Sequence, residues 1–234
     1  VLGKESGAIT ENDVLSIECI GLKEMKDGTG DSVYVSKPEM GYITDISDIS
    51  LFTNLRRLYL PVRGRDIPPL SRLKKLEYLE LDCGSDVDIS VLAELSALKE
   101  LHIRFNGGTG IPELRVLGSL PKLKSLCLSH FYASLDLTFL ENLSGIEILS
   151  VSTDKLYRTD AVNSLFNLRR LHISAKSVDF VPDFSNCEKL EKLSLSIDTL
   201  SDISSVKNLD NLQSLDIERG RGYDLAPLSG LHKL

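Results

Sequence analysis

LRRLYL, the segment from Leu55 to Leu60, carries leucine at its first, fourth and sixth places. Leu58 and Leu60 stand two residues apart, so in an extended strand both side chains point to one face while Tyr59 points to the other. The segment therefore predicts a β-strand with one apolar face and one polar face.

The same pattern returns along the chain, after Leu55, at steps of 21, 22, 25, 23, 22, 22 and 22 residues. The copies read LEYLEL at 76–81, LKELHI at 98–103, LKSLCL at 123–128, IEILSV at 146–151, LRRLHI at 168–173, LEKLSL at 190–195 and LQSLDI at 212–217. A weaker copy, IECIGL, begins at Ile17, and Leu234 stands one further step along. Periods of about 20 to 29 residues with this pattern are typical of leucine-rich repeats.

A second apolar pair at a spacing of three residues recurs upstream of the strand patterns, as in Leu70 with Leu73 and Leu92 with Leu95. This spacing suits a 3₁₀ turn, and a coil of about 22 residues has no room for a long helix. The predicted fold class is therefore α/β and β-rich: a right-handed leucine-rich-repeat solenoid of about ten coils. Its single parallel sheet lies on the concave face, and short 3₁₀ or irregular turns form the convex face.

The chain ends depart from the regular repeat. Residues 1–16 are predicted to form an N-terminal cap with a short helix, since TEND at 10–13 resembles a capping box. Residues 17–234 form the predicted solenoid, interrupted by an inserted hairpin-like loop at 23–41 with a glycine-rich turn at Gly28 and Gly30. This insertion serves either as a binding element or as a surface loop. Because Leu234 opens a strand pattern without completing it, the C-terminal end is expected to be truncated.

The opening LGKESGAITENDVLSIECIGL, at 2–22, and the later YITDISDISLFTNLRRLYL, at 42–60, resemble the cap and first repeats of internalin-type proteins of Firmicutes. The resemblance implies a secreted or surface-attached ligand-binding solenoid and names no ligand. One departure concerns the asparagine that such coils place three residues after the strand, because here Asn106 alone holds that place.

Composition and charge narrow the functional classes. With 27 basic and 34 acidic residues the net charge is −7, which argues against a broad affinity for nucleic acid or anionic lipid. No stretch reaches the roughly 18 apolar residues of a membrane span. The four cysteines form no CxxC pair and the four histidines are dispersed, so neither a catalytic constellation, a metal site nor a cofactor is predicted.

The side chains between the strand leucines are expected to line the concave face. Tyrosine and arginine are enriched in binding hot spots, and carboxylates can orient the basic groups of a partner. The predicted binding residues combine these types: Arg57, Tyr59, Tyr78, Glu80, His102 and Arg104 in the first third of the solenoid, with Arg170 and His172 further along. A solvated sheet face with incidental charges is the alternative interpretation.

Sequence therefore predicts a non-catalytic module that recognises a protein ligand as a monomer. The resemblance to internalin-type proteins implies that the module lies at the bacterial cell surface or is secreted. An intracellular adaptor or regulator of an enzyme, located in the cytoplasm, stays open because intracellular repeat proteins share this period. An enzyme is disfavoured because no acid, base and nucleophile are brought together.

Overall fold

The computed structural model describes residues 11–26, 32–36, 41–63, 67–107 and 112–234. One short helix, α1 at Glu11–Leu15, precedes the sheet. The strands are β1 Cys19–Ile20, β2 Leu22–Lys26, β3 Ser32–Ser36, β4 Arg57–Pro61, β5 Tyr78–Gly84, β6 Glu100–Asn106, β7 Ser125–Asp136, β8 Ile148–Tyr157, β9 Arg170–Val178, β10 Lys192–Ile197 and β11 Ser214–Glu218. The predicted division into a cap at 1–16 and a solenoid at 17–234 stays a prediction.

Nine of these strands form one parallel sheet in the order β1-β4-β5-β6-β7-β8-β9-β10-β11 within the described residues. Sequential order with parallel pairing means that each coil lays its strand beside the strand of the preceding coil. The register joins equivalent positions, so Leu58 pairs with Leu79 and Leu79 with Leu101. The fold class predicted from the repeat is confirmed.

Each coil returns to the next strand through a tight turn on the convex side. Within the described part of the chain most of these turns are 3₁₀ helices, at Ser47–Leu51, Pro68–Arg72, Ser90–Glu94, Leu114–Ser119, Leu137–Asn142, Thr159–Ser164, Ser204–Asn208 and Ala226–Gly230. The connection from β9 to β10 is formed by turns and bends without a 3₁₀ helix. The apolar pairs at three-residue spacing fall here, and Leu70, Leu73, Leu92 and Leu95 are fully buried. The core therefore lies between the sheet and the row of turns.

Aspartate side chains form hydrogen bonds with the backbone at the start of several of these turns. Asp45, Asp88 and Asp202 each accept a hydrogen bond from the backbone N–H of the serine two residues on, at 2.9, 2.9 and 2.8 Å. These bonds hold the pKa of each carboxyl below its usual range. The isoleucine after each aspartate is buried, so the bond fixes the turn that delivers an apolar side chain to the core.

The edge of the sheet just before the strands carries paired charges. Glu77 accepts from Arg56 at 2.6 Å and from Lys99 at 2.7 Å, so one carboxylate meets two cations from the neighbouring coils. Further along, Lys124 pairs with Glu147 at 2.9 Å. We call this row of ion pairs the flank ladder.

The insertion at 23–41 contains the antiparallel pair β2–β3, in which Leu22 lies opposite Ser36 and Lys26 opposite Ser32. The proposed turn at Gly28 and Gly30 lies outside the described residues. After the insertion Ile43 bridges Val62 in parallel, beside β4. The chain thus leaves the sheet after β1 and returns to the same sheet edge.

Leu101→Ala is expected to lower the free energy of unfolding by about 2–5 kcal/mol, because it opens a cavity where the side chain is fully buried. Urea unfolding followed by circular dichroism measures the change. Leu51→Ala is the matched control, since Leu51 is 56% exposed and should change stability by about 0.5 kcal/mol or less. Equal losses in the two variants would contradict the assigned core.

The variant Asp45→Asn/Asp88→Asn/Asp202→Asn is expected to lose less stability in acid than the wild-type chain. A carboxyl whose pKa is lowered by folding contributes stability above its unfolded pKa and loses it as the pH falls through the folded value. Asparagine keeps an oxygen acceptor that does not titrate. Melting temperatures recorded from neutral pH to below about pH 4 test this, with Asp48→Asn as a control for charge removal. Parallel curves would contradict the expectation.

Candidate functional site

The concave face carries three rows of side chains, which the strand register aligns across the coils. The first row contains Arg57, Tyr78, Glu100, Ser125, Ile148, Arg170, Lys192 and Ser214; the second contains Tyr59, Glu80, His102, Cys127, Ser150, His172, Ser194 and Asp216; the third contains Pro61, Asp82, Arg104, Ser129, Ser152, Ser174, Ser196 and Glu218. Large and charged groups cluster at β4–β6, whereas serines dominate the later strands. We call the group at β4–β6 the N-terminal cluster.

Tyr78 links the first two rows of this cluster. Its hydroxyl lies 3.3 Å from Glu80 Oε2 and 3.3 Å from His102 Nδ1. The Tyr78 and His102 rings meet edge to face, with centroids 5.2 Å apart. Burial, followed by the charge of Glu80, raises the pKa of Tyr78 well above its usual value, so the phenol stays protonated. The hydroxyl donates its single proton to the Glu80 carboxylate, and its oxygen accepts from His102 Nδ1 in the tautomer that carries a proton on that nitrogen.

Arg104 links the second and third rows. Its guanidinium reaches Glu80 Oε1 at 3.9 Å and Asp82 Oδ2 at 3.5 Å. Burial raises the pKa of the Asp82 carboxyl, and the positive charge of Arg104 opposes that shift. Two carboxylates therefore share one cation, at the long end of ion-pair distances.

The N-terminal cluster includes three further residues that were not among the binding residues predicted from the sequence. Asn106 Nδ2 donates to Asp82 and, at 3.2 Å, to the Tyr42 hydroxyl. The Arg63 guanidinium lies 4.3 Å above the centroid of the Tyr42 ring, a cation–π contact. The sequence gives a signal for Asn106, because it is the one coil position three residues after a strand pattern that carries asparagine. It gives no such signal for Tyr42 or Arg63, since neither residue belongs to a strand pattern.

Exposure separates the predicted binding residues into two groups. Tyr59 is 6% exposed and Glu80 is 9% exposed, so both are covered by neighbours and offer little contact area. Arg57, Tyr78 and His102 are half-buried and Arg104 is exposed, so these four side chains can touch a partner directly.

Arg170 and His172 also lie on the concave face, but the structure does not bring them to the N-terminal cluster. His172 follows His102 in the second row after Cys127 and Ser150, three strands away, which is roughly 14 Å at the usual strand spacing. His172 Nδ1 lies 3.1 Å from Ser194 Oγ. The two histidines therefore cannot share one ligand atom.

The described residues contain no group of three or more histidine, cysteine, aspartate or glutamate side chains placed to hold a metal ion. Burial raises the pKa of the Cys83 and Cys187 thiols to about 12, so the thiolate form is disfavoured at both positions. No helix in the described ranges is both long and apolar enough to cross a bilayer.

Solved structures of bacterial and plant proteins share this fold. Internalin C2 of Listeria monocytogenes aligns over 97% of this chain and 82% of its own, with 21% identity and a TM-score of 0.60. Internalin InlF of the same organism aligns over 100% and 77%, with 23% identity and a TM-score of 0.52. The plant peptide hormone receptor RGFR1, solved in complex with RGF2, aligns over 82% and 40%, with 15% identity and a TM-score of 0.54.

No known protein-family profile matches the chain, and no curated protein sequence does. At these identities the likeness shows the fold alone: an open leucine-rich-repeat solenoid of the kind that internalins have. The resemblance to internalin-type proteins predicted from the opening residues is confirmed at that level.

His102 is expected to titrate below the ordinary histidine value of about 6.5. Burial lowers the pKa of its imidazole, Arg104 acts in the same direction, and Glu80 and Glu100 oppose both. Nuclear magnetic resonance of the ring protons against pH measures the value directly.

The lowered pKa of His102 also predicts how the free energy of unfolding changes with pH. Below about pH 6.5 the unfolded chain gains a proton at this histidine before the folded chain does, so His102 reduces stability as the pH falls through that window. His102→Gln should remove this contribution. A folded-state pKa at or above the ordinary value would contradict the assigned burial.

Proposed function

We propose that this chain is a non-catalytic binding module that recognises a protein partner through the N-terminal cluster of its concave face. The contact residues in this proposal are Arg57, Tyr78, His102 and Arg104, with Tyr59 and Glu80 beneath them as support. Arg170 and His172 lie further along the same face, on β9. Curved solenoids present extended concave surfaces of this kind to their partners.

The observation that carries the proposal is the ordered polar array on β4–β6. Tyr78, Glu80, His102, Asp82 and Arg104 are joined by hydrogen bonds and ion pairs, so their side chains are held in place before a partner arrives. Holding contact groups in advance lowers the entropic cost of association.

A secreted or cell-surface location belongs to the same proposal and is supported by the likeness to internalins. Recognition of a protein ligand is supported by the plant receptor with this fold, which was solved with its peptide hormone. We further propose that the chain acts as a monomer, which light scattering of the purified protein tests.

Tyr78→Ala is expected to weaken binding of the partner about tenfold or more, the loss that follows truncation of a central aromatic contact. The experiment isolates proteins that bind the immobilised wild-type chain and then measures each affinity by calorimetry against wild type and variant. Tyr157→Ala is the matched control, because Tyr157 is an exposed tyrosine on β8 that lies beyond the three concave rows.

A partner whose affinity is unchanged by Tyr78→Ala would place the binding surface elsewhere. Equal weakening by both tyrosine variants would likewise remove the N-terminal cluster as the site. Circular dichroism melting of each variant confirms that the fold is retained before binding is compared.

A further inference from the structure

Two basic residues lie side by side in the first concave row, on β9 and β10. The parallel register places Arg170 directly beside Lys192, and both side chains are exposed. Equivalent positions of adjacent strands are about 4.8 Å apart, so the two positive charges repel each other. Among the described residues, no carboxylate lies within ion-pair distance of either side chain. We call Arg170 and Lys192 the basic pair.

The same strands show how other cations of this region are compensated. One position earlier, on the flank ladder, Arg169 pairs with Glu191 of the next coil at 2.6 Å. Beyond the third row, Lys176 pairs with Asp154 of the preceding coil at 2.9 Å. The parallel register therefore brings opposite charges together on either side of the basic pair and like charges together at the pair itself.

The basic pair is bordered by groups that suit contact with a peptide. Ile148 lies beside Arg170 in the first row and is 37% exposed, which is unusual for an aliphatic side chain of this sheet. His172 lies two residues further along β9, half-buried, with its Nδ1 atom 3.1 Å from Ser194 Oγ. An exposed aliphatic group and a positioned imidazole thus adjoin the two cations.

Small side chains leave space over the strands beyond the basic pair. Ser150, Ser152 and Ser174 occupy the second and third rows of β8 and β9. Further along these strands an open cavity of about 320 Å³ is lined by Ser152, Ser174 and Lys176. Ser174 is roughly 13 Å along the strand from Arg170. An extended segment of roughly four or five residues can therefore lie between the basic pair and this cavity.

Nearby carboxylates limit the kind of anion that fits. Asp216 and Glu218 lie on β11, two strands from β9, and Asp216 is beside Ser194 in the register. Two strand spacings are roughly 10 Å, a little more than the screening length of about 8 Å at physiological ionic strength. A short acidic segment can thus bind the basic pair without strong repulsion. A long polyanion, such as nucleic acid or a sulfated glycan, meets these carboxylates and the net charge of −7.

We infer that the basic pair and His172 form a second contact site of the concave face, which receives a short acidic segment of the protein partner. A carboxylate of the segment lies between the guanidinium of Arg170 and the ammonium of Lys192, and a guanidinium can bind a carboxylate through two parallel hydrogen bonds. The rest of the segment runs over the serines toward the cavity.

The inference rests on the proposed function and adds the chemistry of the partner. It also sets a spacing, because Tyr78 on β5 and Arg170 on β9 are four strand spacings apart, which is roughly 19 Å. A partner that fills both sites spans that distance across the sheet.

A pair of short peptides tests the second site without knowledge of the partner. The probes are acetyl-Gly-Ser-Gly-Glu-Glu-Gly-Ser-Gly-amide and the same peptide with two glutamines in place of the glutamates, titrated into the ¹⁵N-labelled chain. We expect saturable shifts of the backbone amides of Arg170, His172 and Lys192 with the glutamate peptide, and at least fivefold weaker binding of the glutamine peptide. Equal binding of the two, or binding of neither, would overturn the inference.

Charge-matched variants locate the effect. Arg170→Gln/Lys192→Gln is expected to weaken the glutamate peptide at least fivefold. Lys122→Gln/Lys207→Gln removes two exposed positive charges that lie outside the concave rows, and it should leave the affinity within twofold. Equal losses would assign the binding to overall charge and would overturn the site.

Thermal melting separates a binding role of the basic pair from a structural one. Removing the two charges relieves their repulsion in the folded chain, so the melting temperature of Arg170→Gln/Lys192→Gln should equal or exceed that of the wild-type chain. A lower melting temperature would show that the pair stabilises the fold and would overturn its assignment as a contact site.

A heparin tetrasaccharide tests the other kind of anion. We expect it to bind the basic pair no more tightly than the glutamate peptide does. Binding at least tenfold tighter that is lost in Arg170→Gln/Lys192→Gln would assign the pair to a sulfated glycan and would overturn the inference about an acidic protein segment.

The two proposals fail separately. If the peptide results hold while Tyr78→Ala leaves every isolated partner unaffected, the second site stands and the proposed function of the N-terminal cluster is wrong. If Tyr78→Ala abolishes partner binding while the glutamate and glutamine peptides bind alike, the proposed function stands and the inference about an acidic segment is wrong.

Discussion

Burial of the strand leucines by neighbouring coils is the constraint on which the rest of the structure depends. A single coil of about 22 residues cannot cover its own apolar side, so its stability depends on the coils stacked beside it. Leu58, Leu79 and Leu101 are fully buried in consecutive strands, one directly beside the next. Because the leucines must point inward, every intervening side chain must point outward on the concave face.

This alternation brings together residues that are distant in sequence. Tyr78 meets His102, and Arg104 meets Asp82, because parallel register sets each position beside its equivalent one coil away. From β7 onward serine occupies many of the same positions, although the strands pair in the same parallel register. The strand pairing is therefore repeated along the sheet, whereas the linked polar groups of the concave face are concentrated at β4–β6.

Charged residues are paired differently on the flank ladder and on the concave face. On the flank, acidic and basic residues of neighbouring coils pair at short distance in water-accessible positions, where each pair adds little stability. On the concave face, Glu80 and Asp82 are nearly covered and share Arg104. Glu80 also accepts from Tyr78 and Asp82 also accepts from Asn106, so hydrogen bonds add to the one guanidinium in compensating these covered carboxylates.

Sequence by itself determined the repeat, the parallel sheet and the inward leucines. It also determined that Arg57, Tyr78, His102 and Arg104 lie on the concave side of the sheet. All of these follow from two periodicities: side chains alternate every two residues along a strand, and the strand pattern returns about every 22 residues. Tertiary structure alone decided that Tyr59 and Glu80 are covered and that Tyr42 joins Asn106 and Asp82. Depth of burial depends on which side chains stand in the adjacent coils, and a repeat pattern does not specify this. The place of Tyr42 depends on the register in which the chain returns after its insertion, which backbone pairing with β4 sets.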